Sequence, residues 1–136
     1  MKIILYIAPD ISVKGGISTV IKGFLRTQLS QKYNIILVAS HIDGSKFRKF
    51  MQAIEGLLKT AYSLTFKHID VVHIHGGDIT SVKRKYFYFR LVKLFKHKVI
   101  YHFHGASFLA QYTNASPVWK SRIKSLLERS NMVICL

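Results

Sequence analysis

The residues best suited to chemistry fall into small groups. Gly15 and Gly16 form a pair within Val13-Lys14-Gly15-Gly16-Ile17-Ser18, directly ahead of an apolar pattern at helical spacing. Two glycines let a ligand approach the backbone closely. The amino terminus of the following helix adds unpaired N–H groups and partial positive charge. That combination fits a phosphate or a diphosphate. It is not the Gly-x-Gly-x-x-Gly dinucleotide fingerprint, and no Gly-Lys-Ser/Thr follows to make a P-loop. An ordinary strand-to-helix turn would use the same residues.

Four histidines form two pairs, His73-x-His75 and His102-x-His104, each at the end of an apolar run. Alternation along a strand puts both members of a pair on one face. Two such pairs invite a zinc reading. In a sheet ordered 3-2-1-4-5, however, the third and fourth strands lie about three spacings apart, roughly 14 Å, too far for one ion. The expectation is therefore no metal, with His73 and His102 hydrogen-bonded within the helix layer and His75 and His104 reaching the crevice. The 6 acids, Asp10, Asp43, Glu55, Asp70, Asp78 and Glu128, include no close pair of the hydrolase kind. Only Asp10, Asp43 and Asp78 fall near strand ends. No Ser–His–Asp or Cys–His arrangement is present. The single Cys135, in the apolar run Met132 to Leu136, cannot form an internal disulfide and reads as a small buried thiol.

The elements that must hold these groups alternate. Ile3 to Ala8 is nearly continuous in apolar residues, as a strand covered on both faces should be. Ile17, Val20, Ile21, Phe24, Leu25 and Leu29 then recur at helical spacing, and Asn34 to Ser40 reads as a second buried strand. A long helix from Ser45 to about Lys67 carries Phe47, Phe50, Met51, Ile54, Leu57, Leu58, Ala61 and Thr65 on the stripe expected to cover the sheet. A third strand runs from Val71 to His75 and stops at Gly76-Gly77. A helix capped by Thr80 or Ser81 continues to about Lys96. The fourth strand covers Lys98 to His104, and a helix from about Pro117 to Ser130 leads into a fifth strand at Met132. The pattern predicts an α/β fold: a Rossmann-like doubly wound parallel sheet of about five strands with helices on both faces, in a single domain over 1–136. Ligands of such sheets sit beyond the carboxyl ends of the strands, just after Ala8, Ser40, His75 and His104.

Taken in order, these motifs resemble the amino-terminal domain of GT4-like glycosyltransferases. Gly15-Gly16-Ile17 with Val20 and Leu25 is similar to the family's Gly-Gly loop and first helix. Asp70-Val71-Val72-His73-Ile74-His75 resembles its Asp-hydrophobic-hydrophobic-His-x-His strand. Lys98 to Gly105 resembles the strand ending in His-Gly, and Asn131 to Cys135 the run into the fifth strand. The resemblance spans essentially the whole chain. It implies half of a GT-B enzyme, the acceptor-side domain, with a donor-binding domain expected to follow. It further implies sugar transfer from a nucleotide-sugar to a carbohydrate or lipid-linked acceptor, usually with retention and without a metal or other cofactor. By position Gly15 and Gly16 would approach the donor diphosphate, and His104 would stand at the transferred sugar as the catalytic-site histidine. His75, Gly76, Asp78 and Gly105 would line the acceptor or sugar site. These residues alone are expected to show little activity.

Composition limits the remaining classes. The 136 residues are 49% hydrophobic, enough for a core, and carry 21 Lys and Arg, for a formal net charge of +15. Such a field attracts polyanions: nucleic acid, an anionic membrane or phosphorylated substrates. The apolar start is too short for a signal peptide, and no window reaches the ~18 apolar residues a membrane span needs. A cytoplasmic location is expected. Basic amphipathic segments, Ser45 to Lys67 and Lys83 to Lys98, suit peripheral attachment at the inner face of the plasma membrane. Solvated cationic faces on core-facing helices would give the same pattern. Nucleic-acid binding is the competing class, but no helix-turn-helix, zinc finger or RNP-like motif occurs. A stand-alone nucleotide-binding Rossmann module is the third.

Overall fold

The computed structural model describes residues 1–136. The order of elements is β1 (Ile3–Pro9), α1 (Gly16–Arg26), α2 (Gln28–Lys32), β2 (Asn34–His41), α3 (Lys46–Phe66), β3 (Val71–Gly76), α4 (Ile79–Leu94), β4 (Val99–Phe103), α5 (Phe108–Thr113), α6 (Pro117–Arg129) and β5 (Met132–Cys135). The expected α/β architecture is present: five strands, all parallel, form one Rossmann-like sheet. No helix is long and apolar enough to cross a membrane.

The strand order is 2-1-3-4-5, not 3-2-1-4-5. The chain crosses from β1 to β2 on one side, then returns to place β3 on the other side of β1. That reversal divides the helices. Ile4, Tyr6 and Ala8 pack with Ile21 of α1 on one face. Leu5, Ile7, Val72, Ile74, Val99 and Tyr101 pack with Val82, Phe89 and Val92 of α4 and Ile123 and Leu126 of α6 on the other. Polar residues fix the strand starts: the Ile3 N–H donates to the Asp70 carboxylate at 2.7 Å, and the Val99 N–H to the Asn131 side chain at 2.9 Å.

Helix boundaries follow capping chemistry. Ser45 accepts from the Arg48 N–H, and Ser116 from the Trp119 N–H, with Pro117 at the first helical position. Thr27, in extended backbone, ends α1 and caps α2, so the helical pattern reaching to Leu29 is split in two. The expected cap of α4 is corrected as well. Asp78 holds that position, accepting from the Ser81 N–H at 2.8 Å, because it stands just ahead of the first turn whereas Thr80 and Ser81 already lie within it.

Two burial expectations fail. The long α3 does not turn its apolar stripe to the sheet. It rests on Leu64, which joins the core, and on Gly56, Thr60 and Ser63, small residues that bring its backbone close to β2, and leaves Phe47 71% and Leu58 66% exposed. Cys135 is exposed, because β5 is an edge strand with no helix over that residue.

Candidate functional site

In a doubly wound sheet the crossover direction reverses at one place, and loops on either side of it part to leave a crevice. Here the reversal lies between β1 and β3. The loop after β1 brings Lys14, Gly15 and Gly16, and the loop after β3 brings Gly77 and Asp78. Arg84 of α4 and His104 and Gly105 after β4 complete a crevice of about 510 Å3.

Its chemistry is that of an anion site. The amino-terminal turn of α1 has no side-chain cap, so its first N–H groups face the crevice unpaired. A Cβ built on Gly15 or Gly16 meets nothing within 4 Å, so these positions border open space instead of packed protein. Arg84 is half-buried and forms no salt bridge, and Asp78, whose charge acts on it, is itself engaged in capping α4. A phosphate-bearing ligand would find helix amides on one wall and a guanidinium on the other.

Of the residues singled out from sequence, Gly15, Gly16, Asp78, His104 and Gly105 line this crevice together. His75 and Gly76 do not. His75 is wholly buried beneath His104, since it lies within β3 and its alternation faces the α1 layer. Gly76 is also within β3, and a Cβ there would run into the Tyr101 hydroxyl, so its small size serves packing. His41 and Gly77 also line the crevice, just after Ser40 and His75 where ligands of such a sheet were expected, whereas Lys14 and Arg84 were not singled out. Arg84 carries no signal of its own in the sequence, being one cation in the run Lys83-Arg84-Lys85.

The histidines form a stack. Register sets Tyr6 beside His73 and His75 beside His102. Ring centroids lie 4.3 Å apart for His73–His75, 5.0 Å for His75–His102 and 4.2 Å for His102–His104. Tyr6 and Phe24 cover them from the α1 side. His75 Nδ1 lies 3.1 Å from His104 Nε2. Burial, aided by neighbouring imidazoles, pushes His73 down to about 3 and His104 down to about 4 and lowers His75 further still, and burial alone lowers His102. All four are neutral at pH 7. His104 at the crevice floor can thus orient a hydroxyl by hydrogen bonding, but has no imidazolium proton to give.

The strand order also removes the geometric objection to a shared metal. β3 and β4 are neighbours, and His73, His75 and His102 each offer a ring nitrogen within 4.8 Å of the others. Nor are His73 and His102 hydrogen-bonded in the helix layer as expected: His73 Nε2 and both ring nitrogens of His102 are buried without a partner.

No family model matches the chain. Over 127 residues it is 26% identical to an uncharacterized 41.2 kDa protein in the cps region of Klebsiella pneumoniae, a match that takes in 87% of this chain and 34% of that protein. The chain thus spans about a third of the length of the relative it resembles.

Proposed function

We propose that the chain is the acceptor-side half of a nucleotide-sugar-dependent glycosyltransferase of the GT4-like, GT-B kind, working in polysaccharide biosynthesis. The observation that carries this reading is the crevice itself. It joins an uncapped helix amino terminus, a Gly-Gly approach and Arg84 to a neutral histidine on its floor. The first three suit a diphosphate, and the histidine suits a sugar hydroxyl. The cps-region relative supports the same pathway class. In this reading a second domain, beyond these residues, holds most of the nucleotide-sugar, and the carbohydrate or lipid-linked acceptor enters from this side.

Amide-resolved NMR titration tests the crevice. Pyrophosphate should shift the amides of Gly15, Gly16, Ile17 and Gly105 with millimolar affinity, and Arg84→Ala should weaken it about tenfold, the worth of one charge-assisted hydrogen bond. Crevice amides unmoved by pyrophosphate would sink the reading. Micromolar binding of UDP-glucose by this chain alone would instead overturn the acceptor-side assignment.

The exposed stripe on α3 favours action at an anionic lipid surface. Phe47, Phe50, Met51, Ile54, Leu58 and Tyr62 follow one face of the helix and are all exposed, with Lys46, Lys49 and Lys59 beside them. Apolar anchors flanked by cations are what an interfacial helix presents to acidic headgroups. The chain should sediment with phosphatidylglycerol-containing vesicles and stay in the supernatant with pure phosphatidylcholine. The double variant Phe47→Ser, Phe50→Ser should lose most of that binding. Equal recovery in both supernatants for the unmodified chain defeats the idea.

A further inference from the structure

We infer that His73, His75 and His102 form a binding site for a borderline transition-metal ion such as Zn2+, set inside the α1 face of the sheet and separate from the crevice. The case begins with composition. Three imidazoles, with no carboxylate among them, meet at one point, their ligand nitrogens all within 4.8 Å of one another. Tetrahedral Zn–N bonds of about 2.0–2.1 Å need nitrogens somewhat closer, so each ring must move inward by roughly an ångström or less. The three residues are fixed on neighbouring parallel strands, with His75 directly beside His102 in register.

The second observation is the state of their nitrogens. His73 Nε2, His75 Nε2 and both ring nitrogens of His102 are buried and lack any hydrogen-bond partner. Orphaned polar atoms in such number are costly in a core, and each ring has one to offer a metal. His75 is oriented for the task. When its Nδ1–H donates to His104 Nε2 at 3.1 Å, the lone pair is left on its buried Nε2. A metal-bound histidine is usually held in this way by a hydrogen bond from its other nitrogen. His104 therefore links the two sites: one ring nitrogen supports the ligand His75, while the side chain lines the crevice.

An entry route is also present. A groove lined by Ile4, Tyr6, Phe24, His73 and Ile134 opens beside the stack. Three protein nitrogens leave the fourth tetrahedral position to a solvent molecule arriving by that groove. An all-imidazole donor set selects Zn2+, Cu2+, Ni2+ or Co2+ over Mg2+ and Ca2+, which prefer oxygen.

The test uses the chain after chelator treatment, titrated with Co2+ as a spectroscopic stand-in and then with Zn2+. A single Co2+ per chain should give the intense visible absorption of a tetrahedral site, abolished by Zn2+ and untouched by excess Mg2+. His102→Phe keeps a ring of similar size in the stack while removing both nitrogens. It should retain cooperative thermal unfolding and lose the Co2+ spectrum. His104→Ala should keep the spectrum but weaken affinity by about 10- to 100-fold, as loss of a supporting hydrogen bond does. Should His102→Phe fail to fold, His73→Phe provides the same comparison. No Co2+ absorption in the folded wild type, equal binding by a folded His→Phe variant, or displacement by Mg2+ would each overturn the site. None of these results bears on pyrophosphate binding in the crevice.

Discussion

Lys85→Met raises the stability of the chain at pH 7 and below, and the gain fades as the pH climbs toward 10.5. Lys85 lies on the buried face of α4, wholly inaccessible, and its ammonium nitrogen has no hydrogen-bond partner. Burial, then the Arg84 charge, pushes it down from 10.5 to about 7, against a smaller opposing pull from Asp78. His41 and His75 also lie within reach of its charge. In the unfolded chain the amine keeps its proton up to its ordinary value. Between pH 7 and 10.5 the unfolded state therefore binds more protons, so wild-type stability rises with pH across that window. Below it the folded state bears the full penalty of a buried cation. Methionine keeps the stem and removes the charge, which should add on the order of 4 kcal/mol at low pH and little at high pH. Urea unfolding of both proteins at a series of pH values checks this. Buried His73 and His104 add a slope of the same sign below their ordinary 6.5, so the comparison is made above it. Parallel curves for the two proteins above pH 7 would refute the assignment.

Gly105→Ala is expected to cost about 1–3 kcal/mol and to weaken pyrophosphate binding, as overpacking of a tight junction does. A Cβ there would lie 2.6 Å from the Gly77 carbonyl oxygen and 2.9 Å from the Phe103 ring. Neither neighbour can yield easily. The first is backbone, and the second is held against Phe108 with ring centroids 4.5 Å apart. The loops after β3 and β4 must then separate, and His104, whose N–H donates to the Gly76 carbonyl at 2.8 Å, moves with them. Gly16→Ala supplies the contrast. Its methyl meets nothing within 4 Å, so stability should hold while anion affinity alone declines. Equal effects of the two substitutions on urea unfolding would show that Gly105 is not a packing junction.

Much of this architecture could be read before any coordinates. Buried parallel strands need near-continuous apolar runs, so Ile3 to Ala8 and Val71 to His75 stood out, and helical periodicity placed helix starts near Ser45 and Pro117. The strand order could not be read. Right-handed crossovers allow β3 on either side of β1 or beyond β2, and only the packing of α3 and α4 onto the face opposite α1 decides between them. One wrong neighbour then separated His75 from His102, which in fact face each other. Stripe orientation was hidden for a related reason. Periodicity says that α3 has an apolar side but not which side meets the sheet, and Gly56, Thr60 and Ser63 offered a closer approach than Phe47 and Phe50 could. Of the crevice, the glycine turn and His104 were legible because they border strand ends. Arg84 was not, since a cation within a basic helix carries no mark of its own.

The position of β1 has a consequence for synthesis on the ribosome. Among the strands of this sheet it is made before the others, and it sits inside the sheet, with β2 on one side and β3 on the other. Its partner residues on β3, Val71 to Ile74, emerge long after β1 and β2 have paired. At translation speeds of about 5–20 residues per second, an edge of the most apolar strand waits on the order of 3–12 s for its partner. During that interval Ile4, Leu5, Tyr6 and Ile7 present open backbone to any nascent strand nearby. The nascent chain is thus most prone to misassociation while residues up to Asp70 are being made, because α1 and then α3 can cover the two faces of β1 but neither covers its open edge.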